Sequence, residues 1–155
     1  MSFYEYKTVM KSEKETIMMG REFAASAYGG MVIILNGELG AGKTTFAKGF
    51  AKGLKIKYQI TSPTYTILNC FNGRLKLNHF DFYRLKSSEE LENIGYSEKI
   101  YGDEVSLIEW GNLFNGLLPD NRIEIFFEIS GKKSRSIKIK AFGEKEIEVC
   151  KKVIK

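Results

Sequence analysis

The octapeptide Gly37-Glu38-Leu39-Gly40-Ala41-Gly42-Lys43-Thr44 matches G-x-x-x-x-G-K-[ST], and no other stretch of the chain constrains its fold as strongly. In a sequence of this composition the pattern arises by chance about 0.02 times. It also lies where its chemistry requires. Met31 to Leu35 is a short apolar run between Gly29-Gly30 and Asn36-Gly37, which reads as a buried strand. Lys43 to Leu54 repeats Phe46, Phe50 and Leu54 four apart, the stripe of an amphipathic helix. Glycines let the connection wrap until successive N–H groups point inward at an anion, at a helix N-terminus whose dipole adds positive potential. The spacing therefore predicts a nucleoside triphosphate site, with Glu38, Leu39, Gly40, Ala41, Gly42, Lys43, Thr44 and Thr45 around the phosphates; the loop itself leaves the base open, and the lack of an N-K-x-D segment is what favours adenine, hence ATP or ADP. Lys43 supplies charge to the β- and γ-phosphates, Thr44 a hydroxyl to Mg²⁺, and Thr45 a hydrogen bond further back along the phosphate chain.

The other segments fit one α/β domain over residues 1–155. At 43% hydrophobic and 28% charged, a chain of 155 residues closes a core without disulfide or metal. Phe3 to Val9 is strand-like, and Ser12 with Glu15 has capping-box spacing at the head of a helix running to Tyr28. Thr64 to Phe71 and Arg74 to Phe82 form a hairpin across Asn72-Gly73. Ser87 to Leu91 opens a short acidic helix that Gly95 ends, and Val105 to Trp110 is a second buried strand. Arg122 to Ile129 and Ser136 to Phe142 make another antiparallel pair, and Glu144 to Lys155 a short helix. The expectation is a single P-loop NTPase-like domain with a mixed central sheet flanked by helices, parallel around the first buried strand and antiparallel elsewhere.

Charge narrows the choice of partner. The net charge is +5, yet Ser130 to Lys155 holds nine basic and three acidic residues, or +6, which leaves −1 for everything before it. An anionic partner is met through that C-terminal segment, around Lys132, Lys133 and Arg135, or the segment is an ordinary solvated, lysine-rich edge. Cys70 and Cys150 lack CxxC spacing and read as buried or half-buried thiols in a reducing compartment, and the lone His79 has no partner histidine for a metal. No run approaches the ~18 apolar residues of a membrane span, and the first residues lack a basic-then-apolar leader pattern. The expected location is the cytoplasm, with no membrane partner.

Hydrolysis needs a carboxylate near Mg²⁺ and a group that positions or deprotonates water. Two acids interrupt apolar runs where strands should end: Asp81 in Asn78-His79-Phe80-Asp81-Phe82-Tyr83-Arg84, and Glu109 in Leu107-Ile108-Glu109-Trp110-Gly111. A carboxylate there is costly unless it faces a cation, a donor or an open cleft, so both are candidate catalytic and metal-contacting groups; a solvent-facing strand residue is the simpler alternative for each. Adenine is expected because no N-K-x-D segment is present to read guanine. The five arginines, Arg21, Arg74, Arg84, Arg122 and Arg135, are scattered, which weakens the alternative of a small-molecule kinase with an arginine-rich lid without excluding it.

Five blocks in order carry a resemblance: Gly37 to Thr45, Thr61-Ser62-Pro63-Thr64-Tyr65, His79 to Leu85, Glu89 to Glu98, and Ile108-Glu109-Trp110. Together they resemble the bacterial TsaE (YjeE) family. The resemblance implies a cytoplasmic P-loop ATPase that works with two partner proteins, TsaB and TsaD, in making N6-threonylcarbamoyladenosine in tRNA. It implies that Lys43 and Thr44 serve phosphate and Mg²⁺, that Asp81 lies near the metal, that Glu109 supports hydrolysis, and that Thr61 to Thr64 form a switch-like segment whose threonine senses the γ-phosphate. One departure is visible: the family often has a further acid two positions after the glutamate of the last block, where Gly111-Asn112 stands here, so no catalytic role is assigned beyond Glu109. Taken residue by residue, His79 reads as a hydrogen-bonded core group rather than a proton shuttle, and Trp110 as core. Arg84 reads as either a phosphate contact or the partner of an acid near Glu89.

Overall fold

The strand that feeds the glycine-rich loop lies at the centre of the molecule. The structure is a computed structural model describing residues 3–58, 60 and 66–154. In chain order the elements are β1 (Phe3–Met10), α1 (Glu13–Ala25), β2 (Val32–Gly37), α2 (Lys43–Gly53), β3 (Leu68–Phe71), β4 (Leu77–Asp81), α3 (Ser88–Asn93), α4 (Tyr96–Ile100), β5 (Val105–Glu109), β6 (Arg122–Ile129), β7 (Arg135–Phe142) and α5 (Glu144–Val153). Short 3-10 turns cover Phe82–Arg84 and Gly111–Leu117. The strands form one sheet in the order β1-β7-β6-β2-β5-β4-β3. Pairing is parallel for β2 with β5, β2 with β6 and β4 with β5, and antiparallel elsewhere.

β2 is apolar without alternation because both of its faces are buried. Ile33 and Leu35 enter a core with Phe23 of α1, Phe46 and Phe50 of α2 and Cys150 of α5. Val32 and Ile34 enter a second core with Phe80, Ile108 and, from α3 and α4, Leu91, Tyr96 and Ile100. On the first face α1 and α2 approach backbone to backbone. A Cβ on Gly49 would lie 2.1 Å from the Ile17 carbonyl oxygen, and one on Gly20 would lie 2.3 Å from that of Phe46. Ser12 caps α1 as expected, its Oγ accepting from the Glu15 N–H at 3.2 Å; the Glu15 carboxylate accepts in return from the Lys11 N–H at 2.8 Å.

Two expectations change, and the basic C-terminal segment divides among several elements. The β3–β4 hairpin is antiparallel, but Phe71 pairs with Leu77, so its loop spans residues 72–76 rather than two. The longer loop is tethered to the helices: the Arg74 N–H donates to the Leu54 carbonyl at 2.6 Å, and its guanidinium to that of Ala24 at 2.7 Å. Cys70 is exposed on the edge strand β3, whereas burial pushes the Cys150 thiol up to about 12; both are free. The basic C-terminal segment does not form one patch. Lys132, Lys133 and Arg135 lie at the β6–β7 turn, Lys138 and Lys140 lie over the Phe126 ring, and Lys145 and Lys151 of α5 lie over Tyr28 and Tyr4. Among the described residues no helix is long and apolar enough to cross a membrane.

Candidate functional site

Register brings the candidate acids together. Leu35 on β2 and Asp81 on β4 both pair with Glu109 on β5, in parallel strands that end side by side. Paired residues share a face and side chains alternate, so His79, Asp81 and Glu109 all project to the face that carries α2. This is the crevice beyond the carboxyl ends of parallel strands, where an open α/β sheet receives ligands.

The loop itself requires glycine at two places. Gly40 has φ 82° at the open crest, and Gly42 has φ 119° where α2 begins, conformations that side chains rarely adopt. Gly42 brings no side-chain cap to the start of α2, a helix N-terminus of the kind whose backbone N–H groups and dipole suit an anion. Glu38 and Leu39 are exposed on the crest, Leu39 at 87%. Lys43 is buried, its Nζ donating to the Gly37 carbonyl at 2.6 Å while lying 3.4 Å from the centre of the Trp110 ring. Burial holds its pKa below the usual lysine value, against the opposite pull of Glu109 and Asp81.

Lys43, Thr44, Asp81, Arg84, Glu109 and Trp110 line one cavity of about 470 Å³. Asp81 is half-buried and accepts from the Tyr83 N–H at 3.0 Å, which caps the Phe82–Arg84 turn. Burial raises its pKa above the ordinary carboxylate value, and the nearby Glu109 pushes the same way. Glu109 is buried and its Oε2 lies 2.6 Å from His79 Nε2. His79 is thus the hydrogen-bonded buried group the sequence suggests, and its partner is a candidate catalytic residue. A hydroxyl and two carboxylates are the hard oxygen donors that suit Mg²⁺ when phosphates supply the rest of its shell. Among the described residues no three or more His, Cys, Asp or Glu side chains are grouped so as to hold a metal ion by themselves.

Trp110 departs from its reading as plain core. It holds a left-handed backbone, φ 63°, which is strained for a bulky side chain, and its N–H donates to the Leu35 carbonyl at 3.2 Å. The ring serves as a wall of the cavity, with Tyr83 5.1 Å away and Lys43 over its face. Sequence gives no sign of this beyond its place next to Glu109. A second hollow of about 510 Å³ lies on the other side of the loop, lined by Ser12, Lys14, Thr16, Thr45, Lys133 and Arg135 among others. There the Arg135 guanidinium donates to the Gly40 carbonyl at 3.2 Å, tying the β6–β7 turn to the loop. Lys14, Lys133 and Arg135 are neighbours of the site that no local motif marks. A larger open hollow, about 830 Å³, lies around Tyr28, Gly102 and Glu146 and gathers none of these groups. The switch-like residues Thr61, Ser62, Pro63 and Thr64 lie outside the described residues.

The sequence model of the family described as "Threonylcarbamoyl adenosine biosynthesis protein TsaE" matches residues 10–137. The chain belongs to the TsaE family. A Bacillus subtilis relative named tRNA threonylcarbamoyladenosine biosynthesis protein TsaE is 39% identical over 150 residues, covering 96% of this chain and 92% of the relative. A TsaE of the same name from Treponema pallidum is 40% identical over 144 residues, covering 93% and 99%. The crystal structure of Bacillus subtilis YdiB matches with a TM-score of 0.82 at 35% identity, over 99% of this chain and 96% of that one. The expected TsaE resemblance and the α/β fold with its mixed, helix-flanked sheet are both borne out.

Proposed function

We propose that this TsaE-family chain binds ATP with Mg²⁺ and hydrolyses it while acting on a complex with TsaB and TsaD, in the synthesis of N6-threonylcarbamoyladenosine in tRNA. The observation that carries the reading is the convergence of Lys43, Thr44, Asp81 and Glu109 on one cavity beside the N-terminus of α2. Main-chain N–H groups of the loop and of Thr44 and Thr45 take the phosphate oxygens, and Lys43 exchanges the Gly37 carbonyl for the β- and γ-phosphates. Thr44, Asp81 and Glu109 would hold Mg²⁺, which supplies charge neutralisation at the β- and γ-oxygens when bound. Glu109, its Oε2 engaged by His79, orients the attacking water beside that ion. The hollow beside Thr45 accommodates the nucleoside half. tRNA is met through TsaB and TsaD or at the basic β6–β7 turn.

Phosphate release from ATP by the purified chain, alone and then with TsaB and TsaD, tests this. Slow turnover alone that rises on adding both partners is the expected result. Robust phosphorylation of a small metabolite without partners, or no ATP binding at all, overturns it.

A further inference from the structure

We infer that His79 is a positioning residue for Glu109: its imidazole fixes the rotamer of the glutamate and aims the carboxylate at the reacting phosphate. The inference rests on the ATPase reading above. His79 is wholly buried on β4 and Glu109 nearly so on the neighbouring β5, where His79 pairs with Leu107 two residues before Glu109. Nε2 lies 2.6 Å from Glu109 Oε2, and an ionised carboxylate only accepts, so Nε2 carries the hydrogen. Nδ1 is buried and has no hydrogen-bond partner among the described residues. The ring therefore spends its one donor on Glu109, and among the described residues no other partner calls for a polar side chain at this position. An apolar residue would fill the space with less desolvation.

The effect on Glu109 is directional. The side chain has three rotatable bonds, and the Lys43 ammonium lining the same cavity offers it a competing partner. Anchoring one oxygen to a strand-borne ring holds the other where water is to be oriented, as outer-shell partners do for acidic and histidine groups in other sites. Removing the anchor frees the carboxylate to collapse onto Lys43. Turnover then falls while nucleotide affinity, set by the loop N–H groups and Lys43, stays.

His79 is the only histidine in the sequence, so its ring signals need no assignment. In ¹⁵N-labelled full-length protein the expected spectrum is that of the Nε2–H tautomer, with a downfield, slowly exchanging proton that moves upfield in Glu109→Gln as the charge-assisted bond is lost. In the presence of TsaB and TsaD, His79→Leu should lower kcat by roughly 10–100-fold at unchanged ATP affinity. His79→Gln, whose amide nitrogen reaches the place of Nε2, should restore most of it. On a Glu109→Gln background, His79→Leu should cost less than about twofold more, because the residue acts only through that carboxylate. An Nδ1–H tautomer, a His79→Leu turnover within about twofold of wild type, or equal losses on both backgrounds would each overturn the inference. If Glu109→Gln itself turns over like wild type, the hydrolytic reading of the site fails and this role goes with it. If Glu109→Gln is slow and His79→Leu fast, only the role of His79 fails.

Discussion

Replacing Gly49 by alanine isolates what the contact between α1 and α2 contributes to both fold and site. The new Cβ would lie 2.1 Å from the Ile17 carbonyl oxygen and within 3 Å of the Ile17 carbonyl carbon and Cα, where ordinary contact begins near 3.4 Å. The obstacle is backbone, so no rotamer change relieves it and the helices must part by about an ångström. Alanine gains about 1 kcal/mol over glycine in a helix interior. Overpacking a core costs roughly 1–3 kcal/mol, and against main chain the top of that range or beyond is expected. The net loss is therefore about 2 kcal/mol, or a Tm lower by roughly 4–8 °C for a domain of this size. Because α2 begins at Lys43, the displacement also carries Lys43, Thr44 and Thr45 away from the crevice, and ATP affinity should fall in parallel. Thermal unfolding followed by circular dichroism and ATP titration of the same protein measure the two effects. A Gly49→Ala protein as stable as wild type with unchanged affinity would refute the close helix contact and its link to the loop.

Lys43→Met should abolish ATP binding in calorimetric titration yet leave Tm equal or higher, since burial disfavours the ammonium it removes; unchanged affinity would reject its phosphate role. Asp81→Asn keeps an acceptor for the Tyr83 N–H but removes a carboxyl whose pKa is raised by burial. A raised acid contributes stability that is full below its ordinary value near pH 4 and is lost as pH rises through the shifted one. The variant should thus gain Tm at neutral pH, gain little below about pH 4, and lose ATP turnover; a Tm gain that is the same at both pH values would contradict this sign. Neutralising Lys132, Lys133 and Arg135 together should flatten the salt dependence of assembly with TsaB, TsaD and tRNA, measured by binding at several ionic strengths. An unaltered slope would leave that turn as an ordinary solvated edge.

The strand, loop and helix from Val32 to Gly53 were legible because each signal there is local: an apolar run, glycines where φ is positive, and phenylalanines four apart. Asp81 and Glu109 could be picked out as acids breaking apolar strands, but their meeting depends on the β4–β5 register, which no single segment encodes. The bond between His79 and Glu109 is hidden for the same reason, since thirty positions separate them. The hairpin turn at Asn72-Gly73 was read as a two-residue connection because the tether of Arg74 to α1 and α2 is a tertiary contact. Trp110 looked like core because a large indole next to a strand usually is; what makes it a cavity wall is a backbone angle, and angles of that kind leave no trace in composition.

The seat of Lys43 between the Gly37 carbonyl and the Trp110 ring has a thermodynamic consequence. The ammonium already has protein partners, but they do not fully offset its burial, so an anion arriving there trades against them while relieving a charge the site disfavours. The attraction of Lys43 for an anion is then reduced by what it gives up at the Gly37 carbonyl and the Trp110 ring, and increased by the desolvation the anion offsets. The same two contacts hold the Lys43 side chain in one place before any anion arrives, so little of its rotamer freedom is left to be lost on binding.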